Sequence, residues 1–572
     1  MELSELVRTL LGKRGITTPE DTEAFLNPDY ERHTHNPFLL NDMERAVARL
    51  LAAISAGERI AVYADFDCDG IPGAAVLWDF FHKICYDNIE VYLPHRDREG
   101  YGFHTGAIAE LADRRVSLII TVDVGMTAAR AVSFAKEKGI DVIITDHHEP
   151  NGVLPGAVAI INPKFSSISS EQAAYPFRDL CGAAVAFKLV QATLAEGKKR
   201  GIKNFTAVPE GWEKWLLDMV AIATIADMVP MVGENRVLAH FGLKVLRKSP
   251  RLGILALCSR LRLRRAELTE DDISFSVAPR INAASRMDEP DAALRLLVTE
   301  NPNEAGMLVE HLEELNARRK GVVAGIVRHA KRSVRERFTS DEHVVVLGNP
   351  EWKPALLGLA ANSIIAERGG VVCLWGRDAN GNLKGSCRSD GSISLTELFA
   401  NAGDVFIEAG GHANSGGFSV SHENIHTLPE ALARAASAVA NAAPQRGKED
   451  APYDALVSLS EVSSAFFEDI SQLAPFGVGN PKPVLCVSET IITEVRRFGR
   501  DEAHVELRVE CCRSGARARA FDFFRTPESF SCAVSPGTVA SLLATLERDS
   551  YRGGLALRLV DIVSFSSPTK VQ

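Results

Sequence analysis

The segment ADFDCDG (64–70) sets Asp65, Asp67 and Asp69 at alternate positions and lets the chain turn at Gly70. Three carboxylates this close repel one another, and a multivalent cation is the usual relief. A calcium loop would need a glutamate at its twelfth position, but counting from Asp65 that position is Val76. Further on, TVDVG places Asp123 after one apolar run, TDHH places Asp146, His147 and His148 after another, and Asp227 ends the stretch DMVAIATIAD. Taken singly, each has an ordinary explanation: a histidine satisfied in a core, an aspartate capping a helix, a helix-terminal acid. Their recurrence after successive apolar runs favours one converging site.

Oxygen and imidazole donors without thiolate suit Mn2+ or Mg2+ better than a structural zinc. Two such ions, about 3.5–4 Å apart, form the arrangement that suits phosphoryl chemistry: they activate a water, neutralise the phosphate and stabilise the departing oxygen. Whichever of Asp146 and His148 is not a direct ligand is expected to orient His147.

Positioning these residues requires strand ends that meet. From residue 60, short β-branched runs alternate with longer mixed segments: IAVY (60–63), IEVYL (89–93), SLIITV (117–122), DVIIT (141–145) and AVAII (157–161). Near-continuous apolar runs of this kind predict an α/β domain with a doubly wound parallel sheet, whose ligands gather outside the carboxyl ends of the strands. Residues 183–300 read as mainly helical, and 303–337 as a long connecting helix. A second, smaller α/β pattern runs from VVVLG (344–348) to GGFSV (416–420), and APQRGKEDAP (443–452) reads as a linker. Strand-like segments at 483–490, 503–510, 516–524 and 554–563 then predict a small β-barrel. The expected domains are 1–302, a catalytic domain with an N-terminal extension, then the helix 303–337, a second lobe over 338–442 and the barrel over 453–572.

At 572 residues the chain is too long for one core, so several domains are required. No stretch approaches the roughly 20 apolar residues of a membrane span, and MELSELVRTLLGKRG does not read as a signal peptide, so a cytoplasmic protein is expected. The ten cysteines form no C-x-x-C pair and are expected to be buried free thiols. A net charge of −10 does not favour a polyanionic partner, but charge is unevenly spread. Between Lys244 and Arg265 stand eight Lys or Arg and no acid, either a phosphate-tracking surface or the solvent face of a helix pair.

In their order, DFDCDG, VDVG, TDHH and ATIADMVP closely resemble the DHH phosphoesterase superfamily. RGITTPEDTEAFLNP (14–28), NPFLLNDMERAVARL (36–50), EGYGFH (99–104), APRINAASRM (278–287), LKGSCRS (383–389), EAGGHANSGGFS (408–419) and LAPFGVGNPKPV (473–484) narrow the resemblance to its RecJ family, over almost the whole chain. The resemblance implies a single-stranded-DNA-specific exonuclease of repair and recombination that works from the 5′ end and releases nucleoside 5′-monophosphates. It implies Asp65, Asp67, Asp123, His147 and Asp227 as ligands of two Mn2+ or Mg2+ ions, with Asp69, Asp146 and His148 in support. Arg96, Ser386 and Arg388 would hold the 5′-terminal phosphate, Tyr101 would stack on a base, Arg280 and Arg286 would touch the backbone, and His412 would approach the scissile region. For Arg96, Arg280 and Arg286 a surface or interdomain ion pair remains the alternative.

The barrel would be an OB-fold with Phe498, Phe521, Phe523, Phe524 and Tyr551 as its aromatic stock, several of them core. A monomer working with a RecQ-type helicase and a single-strand-binding protein is likewise implied. Five positions depart from the family pattern: Pro72, Ser285, Lys353, Ser363 and Cys387, none of them an expected ligand. Two other readings stand beside this one. A DHH phosphodiesterase of short oligonucleotides or cyclic dinucleotides would have no need of a strand-binding barrel, and an inactive replication-fork scaffold would lack the acids that this chain keeps.

Overall fold

The computed structural model describes residues 3–150, 152–165, 174–339, 342–442, 453–499, 502–549 and 552–564. The expected linker over 443–452 and Tyr551 lie outside them. The chain forms two compact units: His35–Val229 with Phe241–Gln445, and Met1–Thr34 with Pro230–His240 and Arg446–Gln572.

In the larger unit, β1 (Ile60–Ala64), β2 (Ile89–Tyr92), β3 (Leu118–Val122), β4 (Asp141–Thr145) and β5 (Ala159–Ile161) form a wholly parallel sheet in the order β2-β1-β3-β4-β5. β1 and β3 are buried along their whole length, as strands covered on both faces must be, which is why they read as unbroken apolar runs. After β1 the chain first builds β2 on one side and then returns to build β3 on the other. The β1/β3 boundary is therefore the topological switch point, and Asp65 and Asp123 follow those two strands directly.

Helices pack beside this sheet, and a buried ion network ties two of them. Arg251 donates through Nε to Asp218 Oδ2 at 2.8 Å and through Nη2 to Asp79. Asp79 lies on the helix Gly70–Lys83 that leaves the Asp65–Asp69 turn, and Asp218 on the helix Leu217–Ala226 that ends at Asp227. Replacing Arg251 by Met would leave Asp218, fully buried, without its cation; a loss of about 3–5 kcal/mol is expected in urea unfolding. A loss below about 1 kcal/mol would show that the network does not hold these helices.

Of the basic run from Lys244 to Arg265, Arg247, Arg251 and Arg265 are partly buried in this packing, and the other five cations are exposed. Arg247 donates to Leu268 O, Arg265 to Ser249 O, and Arg260 pairs with Glu310.

The connecting helix Pro302–Arg337 is capped by Asn301 and, with 36 residues, spans about 54 Å. It leads to a second lobe with the sheet order β6-β7-β8-β10-β9: β6 (Val344–Gly348), β7 (Val371–Arg377), β8 (Leu383–Ser389), β9 (Phe406–Gly411) and β10 (Ser415–Val420). Only β6 and β7 run parallel. Cys373 on β7 stands directly opposite Cys387 on β8, and the two are joined in a disulfide. The expectation of ten buried free thiols is corrected by this pair, which only strand register could reveal, and by the exposed Cys85 and Cys512.

In the smaller unit, β12 (Leu485–Phe498), β13 (His504–Cys511), β14 (Arg517–Asp522), β16 (Leu555–Ser564) and β15 (Val539–Arg548) close into a barrel through the β12–β15 pairing, with β11 (Ala455–Ser458) parallel to β12. β15 is not expected from sequence: VASLLATLER is rich in helix formers, and only its place in the barrel makes it a strand. The N-terminal segment, expected to extend the catalytic domain, packs here instead. Val7, Leu10 and Leu11 share a core with Leu473, Leu485 and Val487, and Arg236 donates to Phe25 O, Leu473 O and Ala474 O. No helix among the described residues is long and apolar enough to cross a membrane.

Candidate active site

The turn after β1 holds Asp65 and Asp69 buried and Asp67 half-buried. Asp67 Oδ1 accepts from the Asp69 and Gly70 amides at 2.8 and 3.3 Å, which shapes the turn. Asp69 is fixed in place, because its two oxygens accept from Gly182 N and Ala183 N at 2.6 and 2.7 Å, at the start of the helix Gly182–Lys199. A carboxylate there complements the positive end of the helix.

Asp123 follows β3 with φ +60, a left-handed conformation that an aspartate tolerates better than most residues. It lies so close to the helix start that a Cβ on Gly182 would fall 2.6 Å from Asp123 Cβ, so position 182 has to be glycine. His147 Nε2 stands 3.1 Å from Asp123 Oδ1 and 3.7 Å from Asp69 Oδ2 and Asp227 Oδ2. Asp227 caps the helix Leu217–Ala226 at its C-terminal end, and its side chain is 26% exposed. Three overlapping groups bring one donor atom per residue within 4.8 Å: Asp65, Asp67 and Asp123; Asp123, His147 and His148; Asp69, His147 and Asp227.

The electrostatics are those of a site built around a cation. Asp65, Asp123 and Asp227 are held well above the ordinary carboxylate range by burial first and by one another and Asp67 and Asp69 next. Asp69 rises to about 7, from burial and Asp67, despite the two helix amides. Asp65 Oδ1 and Asp123 Oδ1 are buried without a hydrogen bond. His147 is pushed down to about 3, by burial and then by His148, so its imidazole is neutral and able to ligate. Donors on adjacent vertices around an ion, each about 2.1 Å from it, stand about 3 Å apart, which is the His147–Asp123 separation. The residues therefore fit a divalent metal: orphaned carboxylate oxygens, a neutral imidazole and no thiolate.

Asp146 serves as a brace. Burial alone would raise it, but the His148 hydrogen bond and the charges of both histidines bring it down to about 2. Its Oδ1 accepts from the His147 and His148 amides and pairs with His148 Nδ1 at 2.8 Å, and its Oδ2 accepts from Met126 N. Of the alternatives open in the sequence, Asp146 thus fixes His148 by its side chain and His147 by its backbone. Tyr101 Oη lies 3.2 Å from His148 Nδ1 and 3.3 Å from Asp123 O, while the residue remains 50% exposed. His412, on the β9–β10 hairpin, is exposed yet close enough to be repelled by His148 and Lys164; burial and these charges lower it.

The cationic side of the cleft is built by both lobes. The Arg96 guanidinium lies over the Phe66 ring, 4.8 Å from its centroid; burial lowers it while Asp65 and Asp67 draw it up. On β8, Arg388 Nη1 donates to Ser386 Oγ at 3.0 Å and to Cys387 O at 2.8 Å. Arg388 is lowered by burial and by Arg96, which places the two guanidinia in each other's field. The Arg96 loop is clasped to the second lobe: Asn380 Nδ2 donates to Arg98 O at 2.7 Å, and Lys353 Nζ stands 4.0 Å from Asp97. Arg286 Nη1 donates to Ala355 O at 2.6 Å, whereas Arg280 is engaged by Glu313 at 2.6 Å, the ion pair that its sequence left open as the alternative.

Sequence reasoning missed three contributors. Asn282 Oδ1 accepts from Cys68 N and steadies the acidic turn. Gly358, inside the helix Pro354–Arg368, leaves room for the pocket: a Cβ there would fall 2.4 Å from Arg388 Nη2 and 3.0 Å from Ser386 Oγ. A lone glycine in an apolar helix was the available signal for that close approach. The third is Arg319 of the connecting helix, whose charge acts on Arg286.

On the barrel, Phe498, His504, Phe521, Phe523 and Phe524 form an edge-to-face cluster, with Arg558 over the Phe523 ring. Phe521 is buried, while Phe523 and Phe524 are exposed.

Family models match three segments: the DHH family N-terminal domain over 59–224, the DHHA1 domain over 341–441 and the RecJ OB domain over 453–561. The single-stranded-DNA-specific exonuclease RecJ of Bacillus subtilis is 33% identical over 514 residues, 89% of this chain and 62% of that protein. The chain thus spans under two thirds of that relative's length. The RecJ of Haemophilus influenzae is 30% identical over 92% of this chain and 91% of its own. The crystal structure of RecJ in complex with Mn2+ from Thermus thermophilus covers 99% of this chain and 76% of that one, at 26% identity and a TM-score of 0.78. Its Mg2+ complex matches at 25% identity with a TM-score of 0.71. With these matches over its catalytic domain, second lobe and barrel, the chain belongs to the RecJ family of DHH phosphoesterases.

Proposed function

We propose that this chain is a single-strand-specific DNA exonuclease that starts at a 5′ end and releases nucleoside 5′-monophosphates. The observation that carries the reading is the meeting of a carboxylate–imidazole cluster with the Arg96–Ser386–Arg388 pocket, which both lobes build. Asp65, Asp67, Asp123, His147 and Asp227 would hold the metal, with Asp69 and His148 in support. Bound there, Mn2+ or Mg2+ would neutralise phosphate charge and lower the pKa of an attacking water.

The chain's own groups do the rest. Arg96 and Arg388 present planar donors that match phosphate oxygens, and Ser386 adds a hydroxyl, so the terminal phosphate is fixed and the next phosphodiester is the one offered to the cluster. Tyr101 keeps its exposed ring beside the cluster, where a base can stack. Arg286, His412 and Arg280 lie along the strand, Arg280 sharing its charge with Glu313. Phe523 and Phe524 of the barrel offer stacking platforms suited to any base. A dinucleotide phosphodiesterase needs no such barrel, and an inactive scaffold would not keep every acid, so neither alternative is favoured. The enzyme is proposed to act in the cytoplasm as a monomer, on strands opened by a RecQ-type helicase and coated by a single-strand-binding protein.

The test is digestion of end-labelled single strands with Mn2+. Labelled mononucleotide should appear at once from a 5′ label and only late from a 3′ label, and a blunt duplex should resist. The reverse order of release would sink the polarity.

A further inference from the structure

One guanidinium of the cationic wall, Arg319, has so far been given no contact of its own with substrate. Arg319 lies on the connecting helix in line with Glu313, Asn316 and Lys320, at spacings of three and four residues that share one helix face. Its Nη2 donates to the buried Asn316 Oδ1 at 2.8 Å, which fixes the side chain's direction. Its Nε is buried and has no hydrogen-bond partner.

The neighbours are nearly all cations. Arg319 is lowered by burial and then by Arg280. Arg286 falls to about 9 through burial, Arg96, Arg319 and Arg388, with only Asp67 drawing it up. Lys320 is lowered by burial, Arg280 and Arg319, with Glu313 opposing. Arg286 therefore feels the charge of the Arg96–Arg388 pocket and of Arg319, while Arg319, Arg280 and Lys320 act on one another. Glu313, the acid facing these three, is already engaged by Arg280 at 2.6 Å.

A buried donor without a partner is destabilising, and like charges around it add to the strain. A polyanion would relieve that strain. The terminal phosphate accounts for Arg96 and Arg388, and the charge of Asp67 acts on Arg286. We propose that Arg319, together with Arg280, holds an internucleotide phosphate of the strand that stays bound beyond the scissile bond. This rests on the exonuclease reading. It makes Arg319 a substrate-binding residue that sets how firmly the trailing strand is kept between cleavages.

The test measures binding of a 5′-phosphorylated oligothymidylate to the full chain by fluorescence anisotropy, with chelator present so that nothing is cleaved, across a salt titration. Wild type, Arg319→Met and Arg319→Lys are compared, and the Tm of each is recorded. Arg319→Met should bind about 10-fold more weakly and flatten the slope of log affinity against log salt by about 0.7, the signature of one lost phosphate contact on a single strand. Its Tm should hold or rise, because a strained charge has gone. Arg319→Lys should recover part of the affinity. A methylphosphonate moved through the oligomer one linkage at a time should weaken wild-type binding at a linkage where the Met variant is indifferent.

Unchanged affinity and salt slope in Arg319→Met would overturn the proposal. So would a lowered Tm with an unchanged slope, which would make Arg319 a packing residue. A wild type that fails to bind the oligomer at all would overturn the exonuclease reading and this inference with it, so the two failures are distinguishable.

Discussion

Asp123→Asn should reduce digestion of 5′-phosphorylated strands by about 10³-fold or more in kcat while making the metal-free protein more stable. The activity loss follows from removing a carboxylate that three structural facts place at the centre of the cluster. Asp123 stands at the end of β3 at the switch point, lies 3.1 Å from His147 Nε2, and has an orphaned Oδ1. Metal-borne charge stabilisation is worth several kcal/mol, and each 1.36 kcal/mol is about tenfold in rate. Asn is the right replacement because it keeps the shape and tolerates φ +60, so a folding defect does not masquerade as lost chemistry.

The stability gain follows from linkage. The folded-state pKa of Asp123 is raised, by burial and then by Asp69, Asp67, Asp65 and Asp227, so the native protein holds its proton where the unfolded chain has released it. Stability then falls as pH climbs above about 4, the unfolded aspartate value. The Asn variant lacks this penalty, so its advantage in chelator should be absent near pH 4 and widen toward neutrality. Adding Mn2+ should reverse the order, raising the Tm of wild type much more than that of the variant. Retained turnover, or a variant less stable than wild type at pH 8 without metal, would remove Asp123 from the metal centre.

This cluster was legible in sequence because a parallel sheet gathers its strand ends. Once 60–63, 117–122 and 141–145 read as buried parallel strands, Asp65, Asp123 and His147 had to emerge on one edge. What stayed hidden depends on contacts between segments far apart in sequence. Asp69 reads as a supporting acid in ADFDCDG, but what it supports is not visible there: its oxygens accept from the start of the helix Gly182–Lys199, more than a hundred residues on. The Cys373–Cys387 bond needs the register of β7 against β8, and the seat of residues 1–34 needs the barrel core. β15 needs its neighbours β12 and β16 to override the helical preference of VASLLATLER. In the basic run 244–265, read from sequence as either a phosphate-tracking surface or a solvent face, Arg247, Arg251 and Arg265 tie segments together while the other five cations stay exposed.

The pocket proposed to hold the strand end leads to the second large expected effect: Arg388→Ala should collapse the preference for a 5′-phosphate over a 5′-hydroxyl. A charge-assisted contact to phosphate contributes about 1.5–3 kcal/mol, so kcat/KM on phosphorylated strands should fall roughly 10- to 100-fold, bringing the two substrates close to parity. Ser386→Ala should do the same to a lesser degree, since its Oγ accepts from Arg388 Nη1 and so helps to aim the guanidinium. The sharper variant is Gly358→Ala, which adds a methyl group 2.4 Å from Arg388 Nη2 and 3.0 Å from Ser386 Oγ without removing any charge. If the pocket works by geometry, this methyl alone should erase most of the phosphate preference. If it works only by bulk positive charge, Gly358→Ala should leave the preference standing while Arg388→Ala lowers it. Geometry is favoured, because Arg96 and Arg388 come from different lobes and are brought together by the Asn380–Arg98 and Lys353–Asp97 clasp. Parallel measurement on both substrates separates these outcomes from a general loss of activity, which would scale both rates equally. An Arg388→Ala enzyme that kept its full preference for a 5′-phosphate would move recognition of the strand end away from β8.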